Sequence, residues 1–103
     1  EISLLLLTEE YMQSRLDKIK AQIDAGHVDR ALTEVDRALA DGTADRAGLL
    51  YLRGRAYMKT ADWGQAMSAF MAAEQLRPDS PAAEARQMLA DILAFYHKDL
   101  YNP

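Results

Sequence analysis

Apolar residues recur along most of this chain at spacings of three and four, the period at which one face of a helix repeats. Met12, Leu16, Ile19 and Ile23 form the first stripe and predict a helix over 9–25. Thr8 stands where an N-cap would, and Glu9 and Glu10 follow in the first turn, where the helix dipole favours anions. Gly26 suits the left-handed position that ends a helix. A second stripe, Val28, Ala31, Leu32, Val35, Ala38 and Leu39, predicts a helix over 28–40 that Gly42 stops. Residues 41–45 read as a loop, with Asp45 as the candidate cap of a third helix over 46–60. There Leu49, Leu50, Leu52, Ala56 and Tyr57 face inward or into a groove. Asp62 caps a fourth helix over 63–76, with Gln65 three residues on as in a capping box. Pro78 prevents its continuation. Ser80 caps a fifth, with Pro81 at the first position, where no donor is needed. Its apolar residues run from Ala85 through Met88, Leu89, Ile92 and Leu93 to Phe95 and Tyr96, and no helical signal follows Lys98. β-Branched residues are sparse, so the expected class is all-α.

The pattern repeats. Shifting the chain by 35 positions lays Ala31 over Ala66, Val35 over Phe70 and Ala38 over Ala73. Over 47–80 the chain carries Gly54, Ala56 and Tyr57 on a first helix, Asp62 and Trp63 at the turn, Ala66, Phe70 and Ala73 on a second helix, and Pro78 after it. That segment resembles a tetratricopeptide repeat (TPR), a 34-residue helix–turn–helix unit. Gly54 and Ala66 are small where paired helices approach, and Tyr57 and Phe70 are large where the pair diverges. The departures are Leu50 for an aromatic, Arg53 for a leucine and Ala61 for the turn glycine. In the first half Ile19 stands for the glycine and Gln22 for the tyrosine. The resemblance implies one domain over 1–103. A degenerate repeat would fill 9–41, a well-matched repeat 46–79, a capping helix 80–98 and a short tail 99–103. The array would be right-handed and superhelical.

Composition narrows the function. Twelve basic residues against sixteen acidic ones give a net charge of -4, with the acids concentrated in 1–46. A nucleic-acid binder would show a basic stripe, and the longest basic cluster is Arg53, Arg55 and Lys59. Without cysteine there is no thiol chemistry or thiolate metal site. His27 and His97 are distant in sequence and belong to no ligand or nucleophile motif. No catalytic, cofactor or metal residue is therefore assigned, and an enzyme is not expected. No run reaches the roughly 18 apolar residues that cross a bilayer, so membrane insertion is not expected. The cytoplasm is the default compartment, and a start at Glu1 rather than Met leaves room for an upstream targeting signal.

By resemblance, the first helix of each repeat lines a concave face that holds a peptide or helix of another protein. That face would carry Tyr51, Leu52, Arg55, Met58 and Lys59, joined from the weaker repeat by Leu16 and Lys20 with Gln13, Asp17 and Asp24. Arg55 is the leading candidate, because its planar fork can take a carboxylate through two bonds. The expected function is a non-catalytic interaction module or adaptor. The alternative is a self-assembling structural protein, with Ile2, Leu4, Leu5, Leu6 and Leu7 joining two copies. Those residues are too apolar to leave in water, and are expected to extend the first helix or fold over the chain's own core.

Overall fold

The computed structural model describes the backbone of residues 2–42 and 45–101, and the side chains of residues 4–42 and 45–96. The described residues form five helices and no strand: α1 (Ile2–Asp24), α2 (Val28–Asp41), α3 (Arg46–Lys59), α4 (Trp63–Leu76) and α5 (Pro81–Tyr101). The three middle helices end within a residue of where the breakers place them. Gly42 adopts φ 66° and its N–H donates to the Ala38 carbonyl at 3.1 Å, closing α2. The Asp62 carboxylate accepts from the Gln65 amide at 3.4 Å, capping α4. Ser80 Oγ accepts from the Ala82 amide at 3.3 Å, capping α5.

The two outer helices are longer than the sequence pattern predicts. α1 begins at Ile2, not at residue 9. Thr8 is not its cap: the Thr8 hydroxyl donates to the Leu4 carbonyl at 2.9 Å, one turn back inside the helix. Leucine is a strong helix former, so residues 4–7 carry the helix through Thr8. At the other end α5 continues through Asp99 to Tyr101, because neither glycine nor proline intervenes. Of the expected tail, only Asn102 and Pro103 lie outside the described residues.

The turns after α1 and α3 share one backbone design, 35 residues apart. Gly26 and Ala61 both take positive φ, at 87° and 58°. The His27 amide donates to the Gln22 carbonyl at 2.8 Å, and the Asp62 amide to the Tyr57 carbonyl at 2.9 Å. Each is the six-residue closure that satisfies orphan carbonyls at a helix end. Alanine in that left-handed conformation costs about 1–2 kcal/mol. Ala61→Gly is therefore expected to stabilise the chain by about 0.5–1 kcal/mol after the entropy gained by the unfolded chain is deducted. A rise in the midpoint of thermal unfolding checks this, and an unchanged or lower midpoint counts against strain at Ala61.

The core runs as three adjoining clusters. Ile19, Ile23, Val28, Ala31, Val35, Ala38, Leu49, Leu52 and Ala56 join α1, α2 and α3. Leu50, Ala73 and Ala82 form the second cluster, and Ala66, Phe70 and Leu89 the third. Tyr51 is half-buried and packs against all three. Gly54 is small because a Cβ there would stand 2.4 Å from the Phe70 ring. Its neighbour is thus a large side chain, not a second small one.

Arginine–carboxylate bridges tie the helices together. Arg15 meets Asp41 at 3.1 Å, Arg55 meets Asp24 at 3.1 Å and Arg53 meets Asp36 at 3.7 Å. Arg86 on α5 grips Glu74 on α4 through two nitrogens. α2 packs behind α1 and α3, and α4 behind α3 and α5. Leu16 lies against Gly48 and Asp24 pairs with Arg55, so α1 and α3 run in the same direction. The molecule measures 64 × 28 × 20 Å with a radius of gyration of 15.5 Å. A compact chain of this length would have about 13 Å, so the fold is elongated.

Candidate functional site

Tyr51 lines three neighbouring hollows on the face shared by α1, α3 and α5. On one flank, Tyr51, Arg55, Met58 and Lys59 from α3 join Phe70 from α4 and Ala85 and Met88 from α5 around a hollow of about 240 Å³. On the other flank, Gln13, Leu16, Asp17 and Lys20 from α1 face Gly48, Tyr51 and Leu52 across a hollow of about 210 Å³. A third hollow, also about 210 Å³, lies between Tyr51 and the start of α5 at Pro81 and Glu84. Each is below the roughly 300–1,000 Å³ of a small-molecule pocket, and together they make a shallow groove for side chains.

The hollows bring together the residues assigned to the concave face except Asp24, which lines none of them and pairs with Arg55. Tyr51, Arg55, Met58 and Lys59 share the first hollow, and Leu16, Lys20, Tyr51 and Leu52 share the second. Three of these differ in detail from expectation. Leu52 is buried and belongs chiefly to the core. Tyr51 is as much a keystone of packing as a contact surface. Arg55 already holds a carboxylate: its Nη2 donates to Asp24 Oδ1 at 3.1 Å while its guanidinium lies 6.0 Å from the Tyr51 ring. Its fork is thereby oriented, and a ligand carboxylate would have to share it with Asp24. Among the described residues no carboxylate lies within ion-pair reach of Lys20 or Lys59, both exposed at the groove's edges.

The α5 contribution was not assigned from the sequence. Met88 is 52% exposed and lines two of the three hollows. Its signal is a breadth of apolar surface: Met88, Ile92 and Phe95 form a second stripe beside Leu89 and Leu93, wider than one contact with α4 requires.

Beyond the groove's rim, Arg77 donates two hydrogen bonds of 2.9 Å to Asp45 at the start of α3. Partial burial pushes the Asp45 carboxyl upward, but the Arg77 hydrogen bonds and charge outweigh it and hold it below the usual carboxylate range. The Gly48 and Ala47 amides add to that without completing a cap bond. Because the folded value is depressed, the contribution is present at neutral pH and above the unfolded value of about 4, and is lost as pH falls through the folded one. Arg77→Met should therefore lower stability at pH 7 and narrow the gap to wild type as acid is added. A gap that stays constant between pH 7 and pH 2 would refute the coupling.

Among the described residues no three His, Asp or Glu side chains converge as metal ligands. The His27 carbonyl accepts from the Ala31 amide at 3.0 Å at the start of α2, and its imidazole makes no cap bond. The His97 side chain and that of Ile2 lie outside the described ones. No described helix is long and apolar enough to cross a membrane. Residues 4–7 extend α1 and do not fold over the core: Leu4, Leu5, Leu6 and Leu7 are 53–67% exposed.

No family model and no curated protein matches the chain. Among solved structures, the solution NMR structure of protein BF1650 of Bacteroides fragilis is similar at 41% identity and a TM-score of 0.76. The similarity covers 84% of this chain and 88% of that one.

Proposed function

The chain belongs to the same family as protein BF1650 of Bacteroides fragilis, and from its own helix pattern and groove we propose that it is a non-catalytic interaction module of the TPR kind. Two helical repeats and a closing helix would form a short right-handed array, with one segment of a protein partner held on the concave side. The observation that carries this reading is the groove around Tyr51, whose first hollow joins Met58, Met88, Ala85 and Phe70 with Arg55 and Lys59 at its edge. Apolar walls take apolar side chains, and the unpaired lysines favour an acidic residue beside them. The matching ligand is a helical or extended peptide with apolar anchors and a neighbouring Asp or Glu.

A displayed library of random peptides tests this. Selection on the wild-type chain should enrich apolar sequences flanked by acids. Lys59→Glu with Met88→Glu should weaken those peptides by at least about tenfold, or 1.4 kcal/mol. Both positions are exposed, so thermal unfolding should fall only slightly, by what the charge reversal in the last turn of α3 costs. Tyr51→Ala is a poor probe, since it would also loosen the core. No enrichment, or equal binding by the variant, would overturn the reading.

A further inference from the structure

We infer that the groove is filled by the leucine-bearing start of α1 from a second copy of this chain, a conclusion that rests on the interaction-module reading above. Leu4, Leu5, Leu6 and Leu7 are 67%, 66%, 53% and 60% exposed, and Tyr11 is 60% exposed. Four consecutive residues of a helix point about 100° apart, so these leucines ring the whole helix. A flat contact covers half of such a ring, and a groove covers more. A helix turn that is apolar on all sides belongs in a buried setting.

The chain's own groove is out of reach. α1 is one unbroken helix, and its later half is fixed to α2 and α3 through Ile19 and Ile23. Leu7 precedes Leu16 by nine residues, so it projects about 13 Å beyond the level of Gly48. A second copy can supply what the first cannot. Charge favours the groove over pairing of two α1 helices. The projecting segment carries Glu9 and Glu10 and no base before Arg15, which is engaged with Asp41. Two such segments side by side would bring four acids together. The first hollow of the groove instead carries Lys59 and Arg55 and is lined by no carboxylate among the described residues, while Asp17 and Glu84 lie in the other two. Reciprocal exchange would close as a two-fold dimer.

The absence of cysteine makes the test clean. Leu6→Cys with Met88→Cys, oxidised in solution, should yield a disulfide between copies that joins α1 to α5, identified by mass spectrometry of the digest. Sedimentation should give a dimeric wild type at high micromolar concentration. Leu5→Glu with Leu6→Glu, and separately Lys59→Glu with Met88→Glu, should each weaken the dimer by at least about tenfold with the helical content retained. A monomeric wild type overturns the proposal, as does a dimer that crosslinks efficiently through Leu6→Cys alone. If the wild type is monomeric while selected peptides still bind and are lost with Lys59→Glu and Met88→Glu, the groove reading stands and the second-copy occupant falls. If those substitutions change neither assay, both fall.

Discussion

Phe70→Ala is expected to destabilise the chain by about 3–5 kcal/mol, the range for deleting a buried aromatic. Phe70 is 1% exposed and is the largest fully buried side chain among the described residues. It packs with Ala66 and Leu89, and its ring lies 5.9 Å from that of Tyr51 at 42°. The cluster around it joins Ala66 and Ala85 to Leu89, Leu93, Met58, Met67 and three aromatic rings, and how far those larger side chains close into the vacated space sets where in that range the loss falls. A domain of about 100 residues has about 5–15 kcal/mol in total, so this loss takes a large part of it. Urea titration checks the effect through the transition midpoint. A shift equivalent to less than about 1 kcal/mol would mean that the third cluster does not hold α3, α4 and α5 together. The same substitution removes part of the lining of the first hollow, so peptide binding should weaken in parallel.

Gly54→Ala should destabilise the chain as well, against the general preference of helices for alanine. Alanine in mid-helix is worth about 1 kcal/mol over glycine. Here its methyl group would stand 2.4 and 2.5 Å from two ring carbons of Phe70 and 2.9 Å from a third. Those distances lie below any real carbon contact, so the ring or the helix must move. Tyr51, Met58 and Leu89 pack the same cluster and leave the ring no easy retreat. Overpacking of this kind costs about 1–3 kcal/mol beyond the propensity gain. The diagnostic measurement is the double-mutant cycle with Phe70→Leu. The alanine should be better tolerated beside leucine, with a coupling of about 1 kcal/mol or more. A stabilising Gly54→Ala in the wild-type background would show the contact to be slack.

These two residues also show what the sequence could tell. Gly54 and Phe70 stood out because their spacing and size matched a recurring helix pair. The reason for the glycine, a ring lying across it, needed the fold. Helices α2, α3 and α4 were legible because Gly26, Gly42, Asp62 and Pro78 act locally, through backbone geometry and capping. The outer ends of α1 and α5 were not. Thr8 before two glutamates has the form of a cap, yet four leucines ahead of it favour helix more strongly than a hydroxyl ends it. The groove was half legible. Tyr51, Arg55, Met58 and Lys59 lie on one face of α3 at spacings any helix would give. Asp24 bonded to Arg55, and Met88 lining the same hollow as Met58, are juxtapositions across 31 and 30 positions of chain, which no local pattern encodes.

The serial packing of the helices bears on how the groove could adapt. Its floor belongs to α3, which has neighbours on several sides, while its two walls belong to α1 and α5, at the ends of the series. In such linear arrays each unit is stabilised mainly by the units beside it. An end helix can therefore loosen while the middle pair stays folded. The walls can breathe at a fraction of the free energy of complete unfolding, on a floor that holds still. Ligands of different girth could then be admitted by partial opening of one edge, with no rearrangement of the centre.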